Sequence, residues 1–356
     1  MDQTQQSTTF FSVKCRPVFL VIAMLLAAFL GARMSMIGSF LFAIMGGIFT
    51  LIFLTAKHPA FMVIGASGSV MLLQLFGGFS ASLTGVLSLI AALVIARQVR
   101  QRAPKTTVLV TASVILGAGT LVISALFYAL DGGSLVPADL LDAYHAFFKD
   151  LKIDFSLAVR NWVESMDEKT LALYAQMEIT KEMLIETYLD SVEAALDIVQ
   201  LLLPGILICV FQLLAYVEIS AFRISARMAR VDALLPAPKW NLIPTQVSCV
   251  VYIVISILYV LVSFFASMES LFIIVLLNLW ISLLPTMLFC GLRVFFFRLK
   301  HPMYRMKTGL ILAVFVFGLF LMPSMVLLLA LFMLSFLGAQ TISTMHAMES
   351  AKNKNQ

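Results

Sequence analysis

The chain has 356 residues, of which 61% are hydrophobic and only 12% charged, and its mean hydropathy is +1.01. Soluble domains run nearer ~45–50% apolar and ~25% charged, so the composition excludes an ordinary soluble globular protein and points to a polytopic membrane protein. In such a chain a net charge of +5 concerns which loops face the cytoplasm, and it is not a nucleic-acid signature.

Residues 1–130 hold five apolar runs: Pro17–Ala32, Ile37–Thr55, Phe61–Phe76, Phe79–Ala96 and Thr107–Leu130. They approach or reach the ~20 residues that a helix needs to cross a bilayer. The first run is short and follows Lys14 and Arg16, as the apolar part of a cleaved signal peptide would. Because the next run begins almost at once, we read it as a retained helix. On it Ala23, Ala27 and Gly31 recur every fourth residue and share one helix face, with Ala28 and Ala32 alongside. Small residues at that spacing let helices approach closely, which suits either docking of a membrane partner or internal packing.

Gly65–Ser69 reads GASGS and resembles the serine-bearing turn of rhomboid intramembrane proteases, with Ser67 as nucleophile. Such a serine needs a base within hydrogen-bond reach. His58, His145, His301 and His346 all lie outside the apolar runs. No catalytic residue, cofactor or metal site is therefore assigned, and the chain is not expected to be an enzyme.

Residues 131–197 are the one water-compatible stretch. They carry fourteen Asp/Glu against five Lys/Arg. Pro137 suits a helix start. Leu140, Tyr144, Phe147, Phe148 and Leu151 then recur at helical spacing, and amphipathic pieces follow over Phe155–Trp162 and Thr180–Asp197. The expectation is an external helical cap on the membrane face.

Five more apolar runs fill 198–356: Ile198–Phe222, Ile243–Ser267, Leu271–Phe297, Leu310–Met322 and Met325–Leu337. The last two, parted by Pro323, form either a pair of short helices or one kinked helix, giving ten spans or nine. Between the sixth and seventh runs stands LLPAPKWNLIP, a proline-stiffened connector. Its Trp240 has an amphipathic ring suited to the headgroup layer, as an interface anchor. Cys15, Cys209, Cys249 and Cys290 show no paired spacing and read as small apolar packing residues.

With the N-terminus in the cytoplasm and ten alternating spans, eighteen of the 24 basic residues fall on the cytoplasmic side. The C-terminus is then cytoplasmic as well, and a bacterial plasma membrane is the expected location. Polar residues inside spans are costly and mark partner helices or cavities. In the sixth run Gln212 and Tyr216, four apart, share a face. Glu218 lies nearer the inner end, at a depth similar to Arg293 in the eighth run, so the two are a candidate ion pair. Asn278 is mid-span. Each of these serves either helix–helix hydrogen bonding or ligand binding.

Leu201–Pro244 (LLLPGILICVFQLLAYVEISAFRISARMARVDALLPAPKWNLIP) resembles the core of the YybS-like family of bacterial membrane proteins. The shared order is a proline early in one span, a basic exit, then a proline-rich segment with Trp and Pro before the next span. Leu283–Pro302 and the ending LFMLSFLGAQ are similar to that family's Gly-containing and terminal helices, although Gln340 stands where the family often carries an acid. The resemblance implies architecture for the C-terminal half and no assigned activity. The first six spans also resemble the S-components of energy-coupling-factor importers, whose small-residue face docks a coupling partner.

The sequence thus predicts an all-α polytopic transmembrane bundle of about ten spans, organised as five spans over 1–130, an acidic external segment over 131–197 and the remaining spans over 198–356. The leading function is small-molecule binding or transport of the S-component type. The competing function is a non-transporting scaffold that binds envelope proteins. The expected partners are the lipid bilayer and a coupling or envelope protein, and no nucleic acid.

Overall fold

The computed structural model describes residues 17–34, 37–229, 231, 246–263, 270–300, 302–321 and 323–340. Among them are eleven helices and no strand: α1 (Pro17–Arg33), α2 (Gly38–Thr55), α3 (Pro59–Arg100), α4 (Lys105–Leu130), α5 (Pro137–Glu164), α6 (Glu168–Gln176), α7 (Lys181–Met228), α8 (Gln246–Ser263), α9 (Leu271–Lys300), α10 (Pro302–Leu321) and α11 (Pro323–Ala339). α1, α3, α5, α10 and α11 all open on a proline, whose fixed φ suits the first turn and whose missing N–H is lost where it would be unpaired anyway. Five helices, α2, α3, α4, α7 and α9, are long and apolar enough to cross a membrane, and α1, Gln246–Val262 and Leu329–Ala339 are shorter apolar helices. The fold is an all-α membrane helical bundle.

A straight helix as long as α3 would run ~60 Å, twice the ~30 Å hydrocarbon core. It does not run straight. Gly78 breaks the helical path at φ 76°, ψ −170°, a conformation that glycine adopts without Cβ strain. The two arms fold back on each other. Ser82 Oγ donates to Gln74 Oε1, and Leu73 fills the space a side chain at Gly85 would need. The third and fourth apolar runs are thus the two arms of one hairpin. α10 begins at Pro302, eight residues before the apolar run does, and runs to Leu321; α11 begins at Pro323, and Met322 between them lies outside the described residues, as does the choice between two helices and one kinked helix.

The chain forms two compact units, one of residues up to Val122 and from Gly205 onward, the other Ile123–Pro204. In the first, α1, α2 and α3 pack together around Met24, Met45, Ile52 and Leu73, all fully buried. α9 packs against α8, α10 and α11. The α9–α11 contact is backbone on backbone, since a side chain at Gly291 would run into the Leu334 carbonyl and one at Gly338 into that of Met287. Small residues permit such close crossings in lipid. Beside it, Tyr252 on α8 donates to Ser335 Oγ at 2.6 Å and the Trp280 ring N–H donates to Ser256 Oγ at 3.1 Å.

The second unit is built on α5, whose apolar stripe buries Phe148 and Val163 together with Leu184 and Leu196 of α7. Pro204 has no N–H to give the carbonyl four residues back. That orphan acceptor, Gln200 O, takes the Tyr144 hydroxyl instead, while the Gln200 side chain meets His145 Nδ1 at 3.0 Å. Lys152 and Asp197 form an ion pair at 2.7 Å.

Candidate functional site

α7 carries Gln212, Tyr216 and Glu218 within the membrane unit, and it presents them on two faces. Helical residues advance ~100° each, so Gln212 and Tyr216 lie on one stripe, and Glu218 is ~200° around from Tyr216.

The first stripe faces α9. At its upper end the Gly205 N–H donates to Asn278 Oδ1 at 2.7 Å, and the Asn278 amide donates in turn to Ile274 O. The backbones are so close here that a Cβ at Gly205 would stand 2.8 Å from the Asn278 carbonyl oxygen. Two turns further down α7, Gln212 Nε2 donates to Ser282 O at 2.7 Å and Gln212 Oε1 accepts from Thr286 Oγ1 at 3.2 Å. Below that, Tyr216 stacks on Phe289 with centroids 4.0 Å apart, and the Lys105 ammonium from the start of α4 sits 5.0 Å over the Tyr216 ring. Lys105 is 4% exposed.

The second face meets α2 and the later arm of α3. Ala215, Glu218, Ile219, Phe222 and Ala226 are all fully buried there. Neither Glu218 carboxylate oxygen has a hydrogen-bond partner. The carboxylate lies over Gly46 and near the Ser88 carbonyl, in space that a side chain at Gly46 would occupy, and a side chain at Gly47 would strike the α7 backbone at Glu218. The Thr50 hydroxyl, also fully buried, is 3.1 Å from Gly46 O and 3.3 Å from Ala92 O. Helix–helix contact at glycine thus leaves one acid enclosed by apolar side chains and backbone carbonyls. α2 contains no titratable residue, and the facing stretch of α3, Gly85–Ala92, contains none either.

The expected Glu218–Arg293 pair is therefore corrected. Arg293 follows Phe289 by one turn on the face of α9 that meets Tyr216, while Glu218 points round α7 toward α2. Similar depth did not make them neighbours. Ala23, Ala27 and Gly31 are also internal. Ala27 and Gly31 are buried, Ala23 packs against the α1–α3 core, and any side chain at Gly31 would overlap the Phe42 ring. They are not an open docking face; the exposed side of α1 is Val18, Phe19, Ile22, Leu26 and Leu30. Trp240 lies outside the described residues. The Ser67 hydroxyl donates to Val63 O, the back-bond that a helical serine makes to its own turn.

Reading the sequence alone missed Lys105, Gly46 and Gly205. Lys105 counted there as one more basic loop residue. Gly46–Gly47 and Pro204–Gly205 are the signals that were present, since a glycine in an apolar helix marks a close approach.

A model for a family described as "Predicted membrane protein (DUF2232)" matches residues 18–334. No curated protein and no solved structure matches the chain.

Proposed function

The chain belongs to the DUF2232 family of predicted membrane proteins, and from that premise we propose that it binds, and carries across the membrane, a small solute that engages Glu218. One observation carries the reading, namely the fully buried Glu218 carboxylate without a hydrogen-bond partner. Placing an acid in a membrane span costs on the order of 2.5–3.5 kcal/mol even on the mildest scales. A structural role would return some of that through hydrogen bonds, as Asn278 and Gln212 do. Glu218 returns none, and Gly46 and Gly47 of α2 pack directly against it. A proton or a cationic group of a solute is the charge such a site takes, and α7 is the element that a solute moving between α2 and α9 would pass.

The YybS-like resemblance of the C-terminal half belongs to this reading. Gly291 and Gly338, from the two stretches that carry it, meet backbone to backbone. The S-component form of transport is supported only by the pattern of spans, because the small-residue face of α1 is occupied internally. The plasma membrane, with both termini in the cytoplasm, remains the location expected from the charge bias. A second reading, a scaffold for envelope proteins, is favoured by the acidic helical unit, which leaves Phe147, Phe155 and Trp162 exposed.

The test is a thermal-stability screen of purified protein against a library of small cationic and neutral metabolites, run on the native chain and Glu218→Gln in parallel. The transport reading expects a solute that stabilises the native chain and has no effect on the variant. Equal stabilisation of both, or of neither while an envelope protein co-purifies, would support the scaffold instead.

A further inference from the structure

The surroundings of Glu218 hold more acceptors than hydrogens. Neither carboxylate oxygen has a hydrogen-bond partner. Glu218 Oε1 and the Ser88 carbonyl oxygen both border the spot where a Cβ at Gly46 would stand, so two acceptors share one gap that the glycine keeps open. One turn along α2 and along the later arm of α3, the Thr50 hydroxyl reaches both Gly46 O and Ala92 O. A hydroxyl has one hydrogen, so it satisfies one of these carbonyls at a time and keeps its own lone pairs. Each helical carbonyl oxygen also carries a second lone pair beyond the one its ladder bond uses. Glu218, Thr50 and Ala92 are fully buried and Ser88 nearly so, and water does not make up the difference where helices touch at glycine.

What answers a surplus of buried oxygens is a cation. Carboxylate, carbonyl and hydroxyl oxygens suit hard metal ions, and backbone carbonyls serve as sodium ligands at membrane depth. Charge narrows the choice. Glu218 is the only acid from Gly205 to Met228, and neither α2 nor Gly85–Ala92 contains a titratable residue. One carboxylate balances one positive charge, whereas a divalent ion would leave a net charge in an apolar enclosure. Size narrows it again. Gly46 and Gly47 bring α2 against the Glu218 side chain and backbone, and contacts this close fit a bare ion better than an organic ammonium group. A proton on Glu218 would serve the carboxylate and Ser88 O and leave Thr50 and Ala92 without a part.

We propose that the Glu218 carboxylate, the Ser88 and Ala92 carbonyls and the Thr50 hydroxyl form a binding site for sodium. The inference rests on the solute reading of Glu218 and narrows the species that engages it to a small, hard, monovalent ion.

The purified full chain in detergent would be held in sodium-free choline chloride and titrated with sodium chloride or potassium chloride at constant ionic strength. Melting temperature and equilibrium binding of radioactive sodium would be the readouts. Sodium should stabilise the native chain saturably, beyond potassium and choline, and should have no such effect on Glu218→Gln. Thr50→Val keeps the side-chain shape and removes the oxygen, so its apparent sodium affinity should fall about tenfold or more, the scale on which metal sites respond to lost support. Thr50→Ser restores the oxygen and should restore the response. The proposal is overturned if sodium acts on the native chain no more than choline does, or if Glu218→Gln or Thr50→Val responds as the native chain does. Should Thr50→Val fail to fold, radioactive sodium binding to the native chain and to Glu218→Gln decides. An organic solute that stabilises the native chain and not Glu218→Gln, with sodium inert, would sink the sodium site and leave the solute reading standing. Failure of every solute, sodium included, would sink both.

Discussion

The Glu218 carboxylate rests on Gly46, and a Cβ built at position 46 would stand 2.7 Å from Glu218 Oε1 and 3.0 Å from the Ser88 carbonyl oxygen. The glycine and the acid occupy one space from opposite sides, so their substitutions are coupled. Gly46→Ala should destabilise the protein by roughly 1–3 kcal/mol, as overpacking of a tight core does. Glu218→Ala in the same chain should return part of that loss by removing the nearer of the two obstacles. A double-mutant cycle on thermal stability measures the coupling. Strict additivity would mean that the carboxylate is not where the geometry puts it.

Gly291 and Gly338 give a sharper contrast, because a side chain at either meets backbone, which cannot rotate away. Gly291→Ala and Gly338→Ala should each lower the melting temperature in detergent, and Gly338→Ala should loosen α11 from α9. Gly309, on α10, has nothing within 4 Å of its would-be Cβ. Gly309→Ala should be neutral or stabilising, by up to ~1 kcal/mol for the gain in helix propensity. The ranking of the three variants is the observable, and equal effects would contradict the α9–α11 crossing.

Ala27 tests the placement of α1. The residue is buried among α1–α3, so Ala27→Leu should overpack the core and cost ~1–3 kcal/mol. A lipid-facing position would accept leucine without loss. An unchanged melting temperature with loss of a co-purifying membrane protein would return Ala27 to a docking face.

Orientation follows from the basic residues alone. Reporter fusions after Lys105 and Lys307 should read cytoplasmic, one after Asp167 external, and one after Gln356 cytoplasmic. An inside signal at Asp167 would contradict the charge argument.

The sequence made some of this legible and hid the rest for identifiable reasons. Apolar runs separated by Gly77–Gly78 marked a break that became a hairpin, because glycine acts locally on the backbone. The shared face of Gln212 and Tyr216 followed from a four-residue spacing. Glu218 stood out as a charge in an apolar run, but the glycine it packs against did not. The Glu218–Arg293 expectation matched depth and ignored azimuth, and two residues of helix turned the acid away from α9. Lys105 was invisible as a special residue because burial of a loop-adjacent lysine depends on which helix covers it. The Gly205–Asn278 contact is a pairing of residues far apart in the chain, and nothing in a single sequence names the second partner.

The central claim is that Glu218 is an acid that a solute engages, and chemical modification tests it most directly. An apolar carbodiimide adds to a protonated carboxyl in an apolar site, forming an acylurea that peptide mass spectrometry locates. The account predicts an adduct on Glu218 of the purified protein, formed more slowly in the presence of any solute that stabilises the native chain and not Glu218→Gln. A Glu218 that never reacts while the protein stays folded, or that reacts at the same rate with that solute present, would contradict it.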